Sequence, residues 1–245
     1  MIFKYPYKIN LENKNNILSN FDYCLSNGRS CLELGIKLYK LNKTSILVPE
    51  YICVEVTEIL KNLGMNIIFY ELDKMLKPNY EQISNNLNNN IKSIIFINYF
   101  GLPINMKKNI LFAKKNNLIM IEDNAHGFSG IYNNNLLGTF GDIGFSSPRK
   151  NLNIMSGGVL HIKNKDYKTV ENFFEIKLTL KWLFFKIIPL FIFNFLNFYL
   201  YFFKFKLIKE RKSNNENYSI KNKIEKIDKI SKSIIERQNF KKNNL

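Results

Sequence analysis

The sequence predicts an α/β protein with a largely parallel sheet and helices on both of its faces. Three observations carry this expectation. Over the first 163 residues, short apolar runs alternate with stretches of helical spacing, the pattern of strands joined by crossover helices. A length of 245 residues with 46% apolar content is enough for one large domain with a proper core. One apolar run, Leu118-Ile119-Met120-Ile121, stops in Glu122 and Asp123, with His126 close behind. In parallel sheets ligands bind beyond the carboxyl ends of the strands, so the carboxylates fall where a site is expected.

The elements follow in order. "SILVPEYI" (45–52), "MNIIFYEL" (65–72), "SIIFINYF" (93–100), "LIMIED" (118–123) and "GGVLHI" (157–162) read as buried strands. Before them, "SCLELGIKLYKL" (30–41) places Leu34, Lys37, Leu38 and Leu41 at i, i+3, i+4 and i+7 of a helix. "VEVTEILKNLG" (54–64) is a helix ending at a C-capping glycine, and "MKKNILFAKKNN" (106–117) is a helix leading into the next strand.

The pattern changes near Tyr167, which sets three regions. Residues 1–166 form the main domain, 167–206 an apolar Phe-rich helical segment, and 207–245 a basic amphipathic tail. "KWLFFKIIPLFIFNFLNFYLYFFKFK" (181–206) is the most apolar part, with 17 uncharged residues between Lys186 and Lys204. That is the short limit for a spanning helix, and Pro189, Asn194 and Asn197 weaken it. A helix packed on the domain, or lying at a membrane interface beside the basic tail, is the expectation. In the tail, isoleucines at 220, 224, 227 and 230 predict an amphipathic helix that needs a partner surface.

The formal charge is +16, and from Lys204 onward 13 basic residues face five acidic ones. No nucleic-acid motif accompanies the excess, so nucleic acid is not an expected partner. Peripheral contact with a membrane surface fits the tail better. Three cysteines, Cys24, Cys31 and Cys53, show no CxxC spacing. They exclude a disulfide framework and point to reduced thiols in a cytoplasmic protein. The N-terminal "MIFKYPYKIN" has no apolar stretch of signal-peptide length.

Three motifs carry chemistry. In "SNGRSCLEL" (26–34), turn residues lead into Arg29 and Ser30 at a helix start. Free amides, a hydroxyl and a guanidinium there make a phosphate cradle or an ordinary N-cap. In "EDNAHG" (122–127), the strand-end acid suits a metal ligand, a general base, a partner for a cationic ring, or a simple cap. A metal site is not expected, because His161 is the only other histidine and no further ligand cluster exists. In "GTFGDIGFSSPRKNLNIMSGGVL" (138–160), Pro148 and the glycines shape a loop around Lys150. A lysine held inward loses its charge readily and becomes a nucleophile toward carbonyls. Taken in order, a phosphate-binding helix start, a strand-end aspartate and a lysine are what a pyridoxal phosphate site needs.

On these residues the chain resembles the DegT/DnrJ/EryC1/StrS sugar aminotransferases, of the aspartate-aminotransferase fold type I. "NGRSCLEL" is similar to the family's phosphate-loop segment, "ILVPEYIC" to its Val-Pro strand, and "INYFGLP" to its aromatic-Gly-x-Pro segment. "LIMIEDNAHGFSGIYNNNLLGTFGDIGFSS" is similar to its Glu-Asp-x-Ala-Gln/His signature with Gly-x-x-Gly-Asp, and "RKNLNIMSGG" to its Lys-Asn-Leu…Gly-Gly segment. The resemblance implies a three-layer α/β/α large domain that binds pyridoxal 5′-phosphate. It implies that Lys150 forms the Schiff base and shuttles the proton, and that Asp123 pairs with the pyridine nitrogen. By the same resemblance His126 stands near the cofactor's phenolic oxygen. Arg29 and Ser30 hold the phosphate, with Ser147, or Ser146, as a further phosphate contact. Cys53 stands where many members carry an aromatic that stacks on the ring, leaving Tyr51 and Tyr99 as the aromatic candidates. Glu122 matches a family position and carries no catalytic role.

The resemblance further implies a transaminase acting on a nucleotide-linked keto-sugar in surface polysaccharide or amino-sugar synthesis, with glutamate as expected donor and a homodimer as the working unit. A C-terminal small domain is not found in the sequence, so the chain is expected to be truncated relative to the family. The alternatives are a catalytically inactive cofactor-fold protein and a membrane-associated interaction protein acting through 181–245. A sugar dehydratase of the same family is disfavoured because Lys150 is present where such dehydratases lack the lysine.

Overall fold

A computed structural model describes residues 17–103, 105–166 and 224–237. A seven-stranded mixed sheet forms its centre, in the order β1-β9-β8-β5-β4-β2-β3. The strands are β1 (Tyr23–Leu25), β2 (Ser45–Pro49), β3 (Asn66–Tyr70), β4 (Ile91–Ile97), β5 (Ile119–Asn124), β8 (Ile143–Ser146) and β9 (Gly158–Ile162). Two short strands, β6 (Ile131–Tyr132) and β7 (Asn135–Leu136), make a separate hairpin between β5 and β8. The helices are α1 (Gly28–Leu38), α2 (Val54–Asn62), α3 (Tyr80–Asn85), α4 (Met106–Lys115) and α5 (Lys229–Arg237).

Five strands, β3, β2, β4, β5 and β8, run parallel, while β9 and β1 are antiparallel to their neighbours. The expected largely parallel sheet is therefore present, with an antiparallel flank. The two-residue alternation of strand side chains sorts the core into two layers. Ile46, Val48, Ile95, Ile121 and Ile143 pack with α1 and α2 on one face. Leu47, Ile94, Phe96 and Met120 pack with Ile83 of α3 and Met106 and Ala113 of α4 on the other. Strands buried on both faces explain the continuous apolar runs in the sequence.

Several local expectations change. In α1 the inward stripe is Cys31, Leu34, Gly35 and Leu38, whereas Lys37 turns outward and pairs with Glu33 at 2.5 Å. The α2 helix ends as expected, with Gly64 in the left-handed region (φ 71) just beyond it. Strand β5 runs one residue beyond the expected end at Asp123, through Asn124, because β8 pairs with it that far.

The tail departs from a single amphipathic helix. Ile224 and Ile227 are buried, but they precede α5 in extended backbone bonded to β1. Ile227 N donates to Cys24 O and Ser26 N to Glu225 O. In α5, Ile235 is buried and Ile230 half exposed. Among the described residues no helix is long and apolar enough to cross a membrane. The Phe-rich segment 167–206 and Ile220 lie outside the described residues.

Candidate active site

Parallel packing brings the carboxyl ends of β2, β4, β5 and β8 to one edge, and the start of α1 joins them there. A cavity of about 380 Å³ opens at this edge. Residues 51–53 enter it after β2, Tyr99 and Phe100 after β4, His126 after β5, and Ser147, Arg149 and Lys150 after β8.

Its floor is set by register. Ile97, Asp123 and Phe145 stand side by side on β4, β5 and β8, and all three line the cavity. Asp123 is 6% exposed and accepts one backbone bond, from Ala125 N at 2.9 Å. Burial pushes its carboxyl up to about 6, against the opposing pull of that amide and of the Lys150 charge. A carboxylate so placed gains from any cation that enters the cavity.

One step along the chain, Glu122 faces the other side of the sheet, since neighbouring strand residues point to opposite faces. It accepts from Gly138 N and Phe140 N, both at 2.7 Å, from Gly141 N at 3.3 Å, and from Asn98 Nδ2 at 2.8 Å. Three of these donors bind the loop before β8 to the sheet through one buried acid, and the fourth ties in the end of β4. Opposite Glu122 in register lies Gly144, where a Cβ would come within 2.2 Å of Gly138 O, so only glycine lets this loop approach. Glu122 thus has a structural role that the sequence alone did not show.

Asn98 and Asn124 were also invisible as site residues. Asn98 Nδ2 bridges Glu122 Oε1 and Asn124 Oδ1, while Asn124 Nδ2 donates to Gly127 O and Ser146 Oγ. The only signal available was an asparagine at a strand end, directly after an apolar run for Asn98 and after Glu122-Asp123 for Asn124. Ser146 is fully buried in this network, whereas Ser147 lines the cavity, so geometry separates the two candidates.

At the start of α1, Asn27 is the N-cap and accepts from Ser30 N at 3.0 Å. Ser30 Oγ lies against Asn27 Oδ1 and Ser26 Oγ, and Ser30 does not line the cavity. Gly28 and Arg29 do line it. Their amides fall in the first helical turn, where the helix offers no acceptor. Lys150 ends a short 3-10 turn, Pro148–Lys150, that follows β8 directly.

The walls add an aromatic pair and an imidazole. Tyr51 and Tyr99 stack with ring centroids 5.7 Å apart, and the Tyr99 hydroxyl donates to Tyr51 O at 2.6 Å. Cys53, beside them, donates to Glu55. The Tyr99 phenol is pushed well up, first by burial and then by the Asp123 charge, and keeps its proton. His126 is pushed down by burial and by Lys150, which leaves a neutral imidazole at pH 7. Gly101 (φ 78) packs against Gly127 so closely that a Cβ on it would meet Gly127 Cα at 2.9 Å. This contact joins the loop carrying Tyr99 and Phe100 to the loop carrying His126.

In charge, Arg29, Arg149 and Lys150 face Asp123 and Glu55 in the cavity. The balance is positive around one buried acid, which suits a ligand with an anionic end and a cationic ring. Among the described residues no cluster could hold a metal ion, and all three cysteines are free.

The fold is that of the large domain of the pyridoxal phosphate-dependent transferases. Residues 5–177 match the model of the DegT/DnrJ/EryC1/StrS aminotransferase family, and the chain belongs to that family. Among curated relatives, it is 29% identical over 135 residues to a GDP-perosamine synthase of Escherichia coli O157:H7, covering 54% of this chain and 37% of that one. It is 27% identical over 137 residues to a UDP-N-acetyl-3-dehydro-alpha-D-glucosamine 3-aminotransferase of Acidithiobacillus ferrooxidans, again covering 54% and 37%. Among solved structures, a family aminotransferase from Brucella abortus superposes with a TM-score of 0.53 at 22% identity, covering 60% of this chain and 43% of that one. An E. coli GDP-4-keto-6-deoxy-D-mannose-3-dehydratase with bound hydrated PLP gives 0.53 at 23% identity, covering 61% and 42%. The chain therefore spans about 40% of the length of these relatives.

Proposed function

We propose that the chain is the cofactor-binding part of a pyridoxal phosphate-dependent transaminase acting on a nucleotide-linked keto-sugar. The observation that carries this reading is Asp123. It is buried, its carboxylate accepts a single hydrogen bond among the described residues, and it faces a cavity lined by Lys150. When bound, the cofactor supplies an electron sink that lets an amino group move between carbon skeletons.

The chain's own residues supply the rest. Asp123 keeps the pyridine nitrogen protonated. Arg29 and the first-turn amides of α1 hold the phosphate, with Ser147 donating from the opposite wall. Ser30 acts through the cap that shapes this turn. His126, neutral at pH 7, donates toward the phenolic oxygen. Lys150 is the nucleophile and the base that carries the proton between carbons. The stacked Tyr51–Tyr99 pair bounds the ring side of the cavity.

The sugar part of the reading rests on the relatives, two of which act on GDP- and UDP-linked sugars by name. Glutamate as donor, a homodimer, a cytoplasmic location and a place in surface polysaccharide synthesis belong to the same proposal. So does peripheral membrane contact through the basic tail.

The test is reconstitution of the purified chain with pyridoxal phosphate. A visible absorption band is expected, and borohydride should fix the cofactor at Lys150. Lys150→Ala should lose both. No band in the parent, or equal borohydride fixation in the variant, overturns the cofactor site. Amino transfer from glutamate to a panel of keto-sugar nucleotides then tests the reaction, and cofactor binding without transfer overturns the transaminase assignment.

A further inference from the structure

We propose that residues 224–231 form a strap that positions both walls of the cofactor site, with Asp228 and Ser231 as positioning residues. This rests on the cofactor reading above and extends it to residues more than 70 positions from Lys150 in sequence.

The strap grips two loops. On the first, Ser26 N donates to Glu225 O at 2.8 Å, immediately before Asn27, Gly28 and Arg29. On the second, Ser231 Oγ accepts from Met155 N at 3.1 Å and from Ser156 N at 3.3 Å, in the loop that follows Lys150. Asp228 anchors the grip. Its Oδ1 caps α5 by accepting from Ser231 N at 2.8 Å, and its Oδ2 accepts from Ser156 Oγ at 2.5 Å. Its own amide donates back to Ser156 Oγ at 3.1 Å.

The two loops are also tied to each other. Gly157 N donates to Ser26 O at 2.7 Å, and Gly157 O accepts from Ser147 Oγ at 3.4 Å. A continuous chain of bonds therefore runs from Glu225 through Ser26 and Gly157 to the cavity serine. Asp228 is 3% exposed and Ser231 fully buried, so water does not compete for these partners. Ile227 and Ile235 give the strap an apolar footing beside Ile154 of the second loop and Val159.

A merely structural tail would stabilise the whole sheet. Beyond its backbone bonds to Cys24 and Ser26, the strap's hydrogen bonds through Asp228 and Ser231 fall on residues 155 and 156, so it restricts the loops whose spacing sets the distance between Arg29 and Lys150. Holding site groups in advance is what lowers the cost of binding a ligand between them.

The experiment compares the full chain with Asp228→Ala and Ser231→Ala by site-resolved hydrogen exchange without cofactor, and by pyridoxal phosphate affinity. Exchange at residues 26–30 and 151–157 should quicken at least tenfold, with β4 and β5 amides within twofold of the parent. Cofactor affinity should fall at least fivefold, and the pH at which the bound cofactor's absorbance titrates should shift. Asp228→Asn, which keeps the cap to Ser231, should recover part of each effect. Unchanged exchange in both loops overturns the strap. So does a uniform rise across β4 and β5, which marks general destabilisation. Faster loop exchange with unchanged affinity overturns the positioning role. If the parent itself binds no cofactor, the functional reading falls, while the exchange measurement still decides whether the strap holds the loops.

Discussion

Glu122 and Asp123 are adjacent, buried carboxylates on one strand, and they are solved in opposite ways. On the α3/α4 face, Glu122 has four donors within hydrogen-bonding reach. On the cavity face, the Asp123 carboxylate has one among the described residues. Burial pushes both carboxyls up, and at Glu122 the surrounding amides pull back. The difference separates an acid that completes the fold from an acid held for a ligand. A buried charge that the protein leaves underpaired lowers stability, and such a residue marks a site.

The largest expected effect breaks the structural side of this pair. Glu122→Ala strands three backbone amides and leaves Asn98 Nδ2 with only its bond to Asn124, and should cost about 3–5 kcal/mol. Denaturant unfolding measures it, and a loss below 1 kcal/mol would contradict the anchoring role.

The second breaks the functional side and has the opposite sign. Asp123 has a folded-state value of about 6, above its ordinary 3.8. Its penalty is therefore absent below pH 4, grows as pH rises through 6, and is complete above 7, where it amounts to about 3 kcal/mol. Asp123→Asn should make the cofactor-free protein more stable than the parent at pH 8, with the gap closing at pH 4, while cofactor retention is lost. Unfolding curves at both pH values check the sign. A gap independent of pH would show that Asp123 carries no such penalty.

The smallest sharpens the contrast at the serines. Ser146→Ala removes a partner of Asn124 and should cost about 1–2 kcal/mol with little change in cofactor affinity. Ser147→Ala should do the reverse, weakening phosphate binding while costing only about 0.5–1 kcal/mol, because it gives up a single long bond to Gly157 O. Paired melting and cofactor titration distinguish them.

Much of the fold was legible because periodicity reports burial directly. The five predicted strands are present, and α1, α2 and α4 lie where helical spacing placed them. What escaped was short or set by distant partners. β1 and β8 are three and four residues long, too short for a periodic signal, and α3 is six. The tail was misread because isoleucines at 224 and 227 fit a helical stripe, yet the free edge of β1 takes that backbone as a strand-like partner. An unpaired sheet edge supplies ladder bonds that no local pattern reveals.

By itself, the sequence determined that this is a sheet with crossover helices, and its strand ends and loop order marked the segments around Arg29, Asp123 and Lys150, because parallel strands must deliver their carboxyl ends to the same side. The family resemblance assigned site roles to Ser30, His126 and Ser147 as well, and of these candidates all but Ser30 line one cavity. Only the tertiary structure decided which face each buried acid occupies, and so the separate work of Glu122 and Asp123. It alone sent Ser146 inward, drew Ser30 against the α1 cap Asn27, and brought Asp228 and Ser231 to the loop after Lys150. Those outcomes depend on strand register and on which backbone groups lack partners, and both are properties of the assembled chain.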